Sequence, residues 1–124
     1  MVNKCSSLTS LDLGHNFDMS KVTTMQGMFR NCSSLTTIDF GDSFDTKNVK
    51  YMHYMFADCS SLTSLDPGDK FVPGYGGTTD MFTGCTSLSE ITLSNNFQYG
   101  IEYDMRLPNE TGRNIGDKRV SGYD

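Results

Sequence analysis

The sequence predicts an α/β solenoid with a parallel strand face and short helices or 3-10 turns opposite it. Three observations predict it. The string C-S/T-S-L recurs at residues 5–8, 32–35, 59–62 and 85–88, at offsets of 27, 27 and 26 residues. After each of these strings the apolar residues alternate, as a half-buried strand requires. Between strings they fall at i, i+3, i+6 and i+7, the spacing of one helix face. A period of this length marks one supersecondary unit that cannot bury its apolar face alone, so neighbouring units must stack.

The strand is read from residues 8–13, Leu8-Thr9-Ser10-Leu11-Asp12-Leu13, where the L-x-L ending puts alternate side chains on one face. Its counterparts carry Ile38, Leu65 and Ile91 in the place of Leu11. Phe17, Phe44, Phe71 and Phe97 follow six residues later in each copy. The helix is read from residues 22–29 and 49–56, with Val22, Met25, Met28 and Phe29 on one stripe and Val49, Met52, Met55 and Phe56 on the next. Ser20 and Thr46 stand where an N-cap hydroxyl would accept from freed amide groups. Parallel strands need about 4.8 Å between neighbours and helices about 10 Å, so short helices imply a shallow curve.

The third copy departs from the pattern. Pro67 replaces the apolar residue found at Leu13, Phe40 and Leu93, and proline removes a backbone donor, so that strand should end early. Residues 72–77, Val-Pro-Gly-Tyr-Gly-Gly, stand where the helix should begin and predict an irregular loop carrying Tyr75. The four copies fill residues 1–105. Residues 106–124 lose the motif and read as a degenerate capping coil or C-terminal tail of the same domain, a linker from a longer array being the alternative.

Composition removes several classes of function. The chain has 124 residues and a net charge of −5, from ten Lys plus Arg against fifteen Asp plus Glu, which leaves no broad basic surface for nucleic acid. No apolar run approaches the roughly 18 residues of a membrane span, and no signal peptide opens the chain. The string C-S-S-L comes almost at once after Met1, which reads as an excised fragment. No nucleophile–base arrangement and no phosphate-cradling glycine loop can be placed, so an enzyme is not expected.

L-x-x-L-D-L beside C-S-S-L, F-D-T/M and V-x-x-M-x-x-M-F resembles the leucine-rich repeat of BspA-like bacterial surface proteins, over about residues 5–105. The resemblance implies a leucine-rich-repeat solenoid on the cell surface or secreted. It also implies an adhesion role and a host or matrix protein or glycan as partner. A structural spacer that holds another domain away from the cell wall is the second reading. An uncapped end of such an array also predicts end-to-end self-association.

Candidate chemistry lies mainly on the strand face. Asp12, Asp39 and Asp66 form one column of carboxylates about 5 Å apart, with no Lys or Arg on the neighbouring strand positions to relieve their repulsion. With Thr9, Thr36 and Thr63 beside them they make an acidic, hydroxyl-rich surface suited to a basic protein, a glycan or a cation. The competing reading is that each Asp binds the backbone of its own following turn. Tyr75 is a candidate aromatic anchor in the irregular loop, or drift.

The remaining signals favour packing. Cys5, Cys32, Cys59 and Cys85 contain no C-x-x-C pair, and His15 and His53 occupy non-equivalent places, so no metal site is expected. A neighbouring pair such as Cys32 and Cys59 would lie within disulfide reach, but a column of buried thiols accounts for the spacing equally. The methionines follow the apolar stripe and read as core rather than as a copper site. No cofactor is implied. Asn109 in N-x-T would accept a glycan only in a eukaryotic secretory setting.

Overall fold

In the computed structural model, residues 6–14, 18–72 and 77–93 are described throughout, and residues 112–115 and 118–121 as backbone strands. Among the described residues six strands follow in chain order: β1 (Ser10–Asp12), β2 (Thr37–Asp39), β3 (Ser64–Leu65), β4 (Glu90–Leu93), β5 (Gly112–Ile115) and β6 (Lys118–Ser121). β1 and β2 pair in parallel, with Leu11 opposite Ile38 and Asp12 opposite Asp39. A second sheet has the order β3-β4-β5-β6, parallel except for the final antiparallel β5-β6 pair. The two sheets are linked by a backbone bond from Thr63 N–H to the Thr36 carbonyl, 3.3 Å. β3 is two residues long and stops before Pro67, whose ring nitrogen has no hydrogen to offer β4.

The expected α/β leucine-rich-repeat solenoid is not what forms. Among the described residues there is no helix of either the α or the 3-10 kind, and the chain builds a small fold of short strands and turns. The segments read as helices are pairs of tight turns. Met28 N–H donates to Met25 and Cys32 N–H to Phe29, and the same bonds recur from Met55 to Met52 and from Cys59 to Phe56. They recur again from Met81 to Thr78 and from Cys85 to Phe82.

The third residue of each turn is left-handed: Gly27 (φ 63°) and Asn31 (64°), then Tyr54 (58°) and Asp58 (61°), then Asp80 (56°) and Gly84 (80°). A left-handed residue at every fourth position forbids helix propagation. The N–H groups between turns reach sideways instead. Met25, Gly27, Phe29 and Asn31 donate to the carbonyls of Tyr51, His53, Met55 and Ala57 at 2.8–2.9 Å. The i, i+3, i+6, i+7 stripe is thus produced by stacked turns.

With no helix to cap, Ser20 and Thr46 do other work. Ser20 N–H is bound by the Asp18 carboxylate at 2.9 Å. Thr46 is buried, 1% exposed, and its hydroxyl accepts from Val72 N–H at 2.7 Å and lies 3.0 Å from the Val72 carbonyl, 26 residues on.

The core runs between strands and turns as columns of equivalent residues. Phe29, Phe56 and Phe82 stack with centroids 5.3 Å apart at each step and planes inclined by 11° and 2°. Phe44 stacks on Phe71 at 5.9 Å, and Phe40 closes against both Phe44 and Phe56. Leu35, Leu62 and Leu88 make another buried column, and Met25 and Met52 lie at equivalent places on the turn side. Burying such side chains is worth roughly 2 kcal/mol each before ordering entropy, so these columns are the main source of cohesion.

Candidate functional site

β1, β2 and β3 each lead into D-x-G, and the same local geometry forms three times. The Asp12 carboxylate accepts from Gly14 N–H at 2.8 Å, Asp39 from Gly41 at 2.9 Å and Asp66 from Gly68 at 3.2 Å. The donating glycines have φ of 71°, 69° and 88°, which a residue with a side chain adopts only with strain. All three aspartates are exposed. Asp12 and Asp39 stand directly opposite each other in register, and each of the three carboxylates is engaged in its own turn. These two facts are compatible, because an ionised carboxylate offers about four lone-pair sites and the turn uses one.

The hydroxyls beside them are spent on the fold. Thr36 Oγ1 donates to the Thr9 carbonyl at 3.0 Å, Thr63 Oγ1 to Thr36 at 3.4 Å, and Ser89 Oγ to Thr63 at 2.9 Å. The threonine column is a ladder joining one repeat to the next. Thr9 supplies a carbonyl to it. Tyr75, His15 and Asn109 lie outside the described residues, as do Cys5, Phe17 and Phe97.

Cys32, Cys59 and Cys85 are fully buried and form no disulfide. The Cys59 thiol donates to the Phe29 carbonyl and the Cys85 thiol to the Phe56 carbonyl, both at 3.0 Å. Desolvation pushes both thiols up to about 12, with the Cys85 and Cys32 sulfurs adding to the effect at Cys59. A thiol so held is a weak nucleophile and a poor metal ligand. Among the described residues no three His, Cys, Asp or Glu side chains stand together in a way that would hold a metal ion.

Sequence reasoning passed over a second surface, on the turn side. Thr24, Tyr51 and Gly77 form a parallel ladder. Tyr51 is 47% exposed, and its ring lies 6.5 Å from that of His53. The Arg30 guanidinium sits over the Tyr54 ring, 4.6 Å from its centre. The signal for it was present: Tyr54 occupies a left-handed position held by Gly27 and Asp80 in the flanking copies.

Among the described residues no helix is long and apolar enough to cross a membrane. No curated protein and no solved structure matches the chain. The family described as "Mycoplasma protein of unknown function, DUF285" matches residues 1–99. On a match over that much of its length, together with the repeat that fills the same residues, the chain belongs to this family.

Proposed function

We propose that this chain is a non-enzymatic interaction module of a repeat-bearing surface protein of the BspA-like kind, cell-surface or secreted, which contacts a basic segment of a host or matrix protein through its strand face. The observation that carries the reading is the repeated D-x-G turn. It holds each of the exposed Asp12, Asp39 and Asp66 carboxylates against its own turn and leaves acceptor capacity over, which supports the reading. A row of pre-oriented carboxylates lowers the ordering cost of docking a row of cationic side chains.

The spacer reading is favoured by a different observation, the consumption of the threonine hydroxyls within the ladder. Binding to a panel of matrix proteins, read beside the triple variant Asp12→Asn, Asp39→Asn, Asp66→Asn, separates the two. Asparagine keeps the turn acceptor and removes the charge, so the variant stays folded. Loss of binding in the variant supports the strand face. Absence of binding by the unaltered chain favours the spacer.

A further inference from the structure

The turn that carries Tyr54 differs from its two neighbours in the residue at its left-handed position. The position is left-handed in all three copies, and Gly27 and Asp80 fill it with residue types that accept that conformation. A tyrosine there is strained, and strain of this kind persists where the surroundings and a use for the side chain maintain it.

Three further features gather at the same turn. Arg30 lies over the Tyr54 ring at 4.6 Å. His53, half-buried, occupies space that opens because residue 77 is glycine, where an added Cβ would come within 3.0 Å of the imidazole. Tyr51, two residues before His53, is the exposed large apolar side chain of the described surface.

The backbone here is closed to ligands. Met25 N–H donates to Tyr51, Gly27 to His53, Met52 to Gly77 and Tyr54 to Thr79, at 2.8–3.1 Å. An extended peptide adding itself as a strand would find no main-chain partners at these positions. What the surface offers instead is the exposed Tyr51 ring with the His53 imidazole beside it, and the Arg30 guanidinium resting on Tyr54. An arginine held over an aromatic ring keeps its in-plane N–H fork available, and that fork matches a carboxylate. Asp80 takes the place of Tyr54 one repeat on, so the ladder is cationic toward Arg30 and anionic toward Asp80.

We propose that the Arg30, Tyr51, His53 and Tyr54 surface binds a saccharide carrying a carboxylate, with the apolar C–H face of a sugar ring on tyrosine and the carboxylate on Arg30. This site is separate from the strand face and stands or falls apart from it.

Titration calorimetry with a hyaluronan tetrasaccharide tests it, against chitotetraose, which shares the N-acetylglucosamine ring and lacks the carboxylate. The expected result is binding to hyaluronan at least about tenfold tighter than to chitotetraose. Arg30→Gln should abolish that preference, and Tyr51→Ala should weaken hyaluronan binding by about tenfold. Tyr54→Gly gives a second readout that does not depend on fold loss. It relieves the left-handed strain but also removes the ring on which Arg30 rests, so with the native fold confirmed by circular dichroism hyaluronan binding should fall by about tenfold. The proposal is overturned by equal affinity for the two oligosaccharides, by binding to neither, or by tighter binding to poly-glutamate than to hyaluronan. It is overturned equally by a Tyr54→Gly variant that binds hyaluronan as before. Matrix-protein binding measured on Arg30→Gln reports the strand face independently.

Discussion

The thiol of Cys59 donates to the carbonyl of Phe29, thirty residues earlier, at 3.0 Å, and the thiol of Cys85 repeats the bond to Phe56. Each of these cysteines therefore ties one repeat to the previous one while filling core volume. Cys59→Ala leaves a buried carbonyl without its donor and opens a small cavity. A loss of about 1–3 kcal/mol is expected, read as a fall in the urea midpoint at unchanged slope. Cys59→Ser keeps a donor in place and should fall between the two.

Burial also sets a pH window. The folded Cys59 and Cys85 thiols titrate near 12, raised from 9.0, so the unfolded chain loses these protons first. The stabilisation is fully present below pH 9 and is lost as pH rises from 9 toward 12. Urea unfolding at pH 8, 9 and 10 should show this decline, and Cys59→Ala should show a shallower one. In the folded protein at pH 8, a thiol reagent should modify Cys59 and Cys85 no faster than the fold opens.

Gly41 and Gly68 occupy equivalent places with left-handed backbones, but their surroundings differ. A Cβ at Gly68 meets nothing within 4 Å, whereas one at Gly41 runs into the Gly14 carbonyl oxygen. Gly68→Ala should cost about 1 kcal/mol for strain alone, and Gly41→Ala at least about twice that because the backbones must separate. Thermal unfolding of the two variants side by side gives the comparison.

Thr46 is a buried hydroxyl that serves three backbone atoms: the Val72 N–H, the Val72 carbonyl and the Lys70 carbonyl. Thr46→Val preserves shape and removes all of this, so a loss of about 2–3 kcal/mol is expected. Thr46→Ser should retain most of the stability. A Thr46→Val variant as stable as the unaltered chain would mean that these bonds are dispensable.

At the strand ends, each Asp→Ala change at Asp12, Asp39 or Asp66 should cost about 1 kcal/mol, because the glycine N–H loses its acceptor. Each Asp→Asn change should stay within about 0.5 kcal/mol. Hydrogen exchange at Gly14, Gly41 and Gly68 amides reads the turn directly, with faster exchange in the alanine variants and little change in the asparagine ones.

The period, the strand positions and the core columns were legible because they depend on spacing, and stacking repeats equivalent residues in space. Leu35, Leu62 and Leu88 could be placed together from the sequence alone, and the early stop at Pro67 followed from a missing donor. The turn side was misread because two successive tight turns put apolar residues three or four apart, as a helix does. The distinguishing marks were Gly27, Asn31, Asp58, Asp80 and Gly84, residue types that tolerate left-handed backbone and recur at four-residue intervals. The use of the threonine hydroxyls was hidden for another reason. A surface column looks the same in sequence whether its side chains face a ligand or the neighbouring repeat.

The spacing between equivalent partners is 27 residues for Thr36 and Thr9 and for Thr63 and Thr36, but 26 for Ser89 and Thr63. Phe71 still stacks on Phe44 in the longer phase, and Gly77 already pairs with Tyr51 in the shorter one, so one residue has been lost between them without disturbing either side. The contacts on either side therefore keep their partners although the two copies differ in length by one residue.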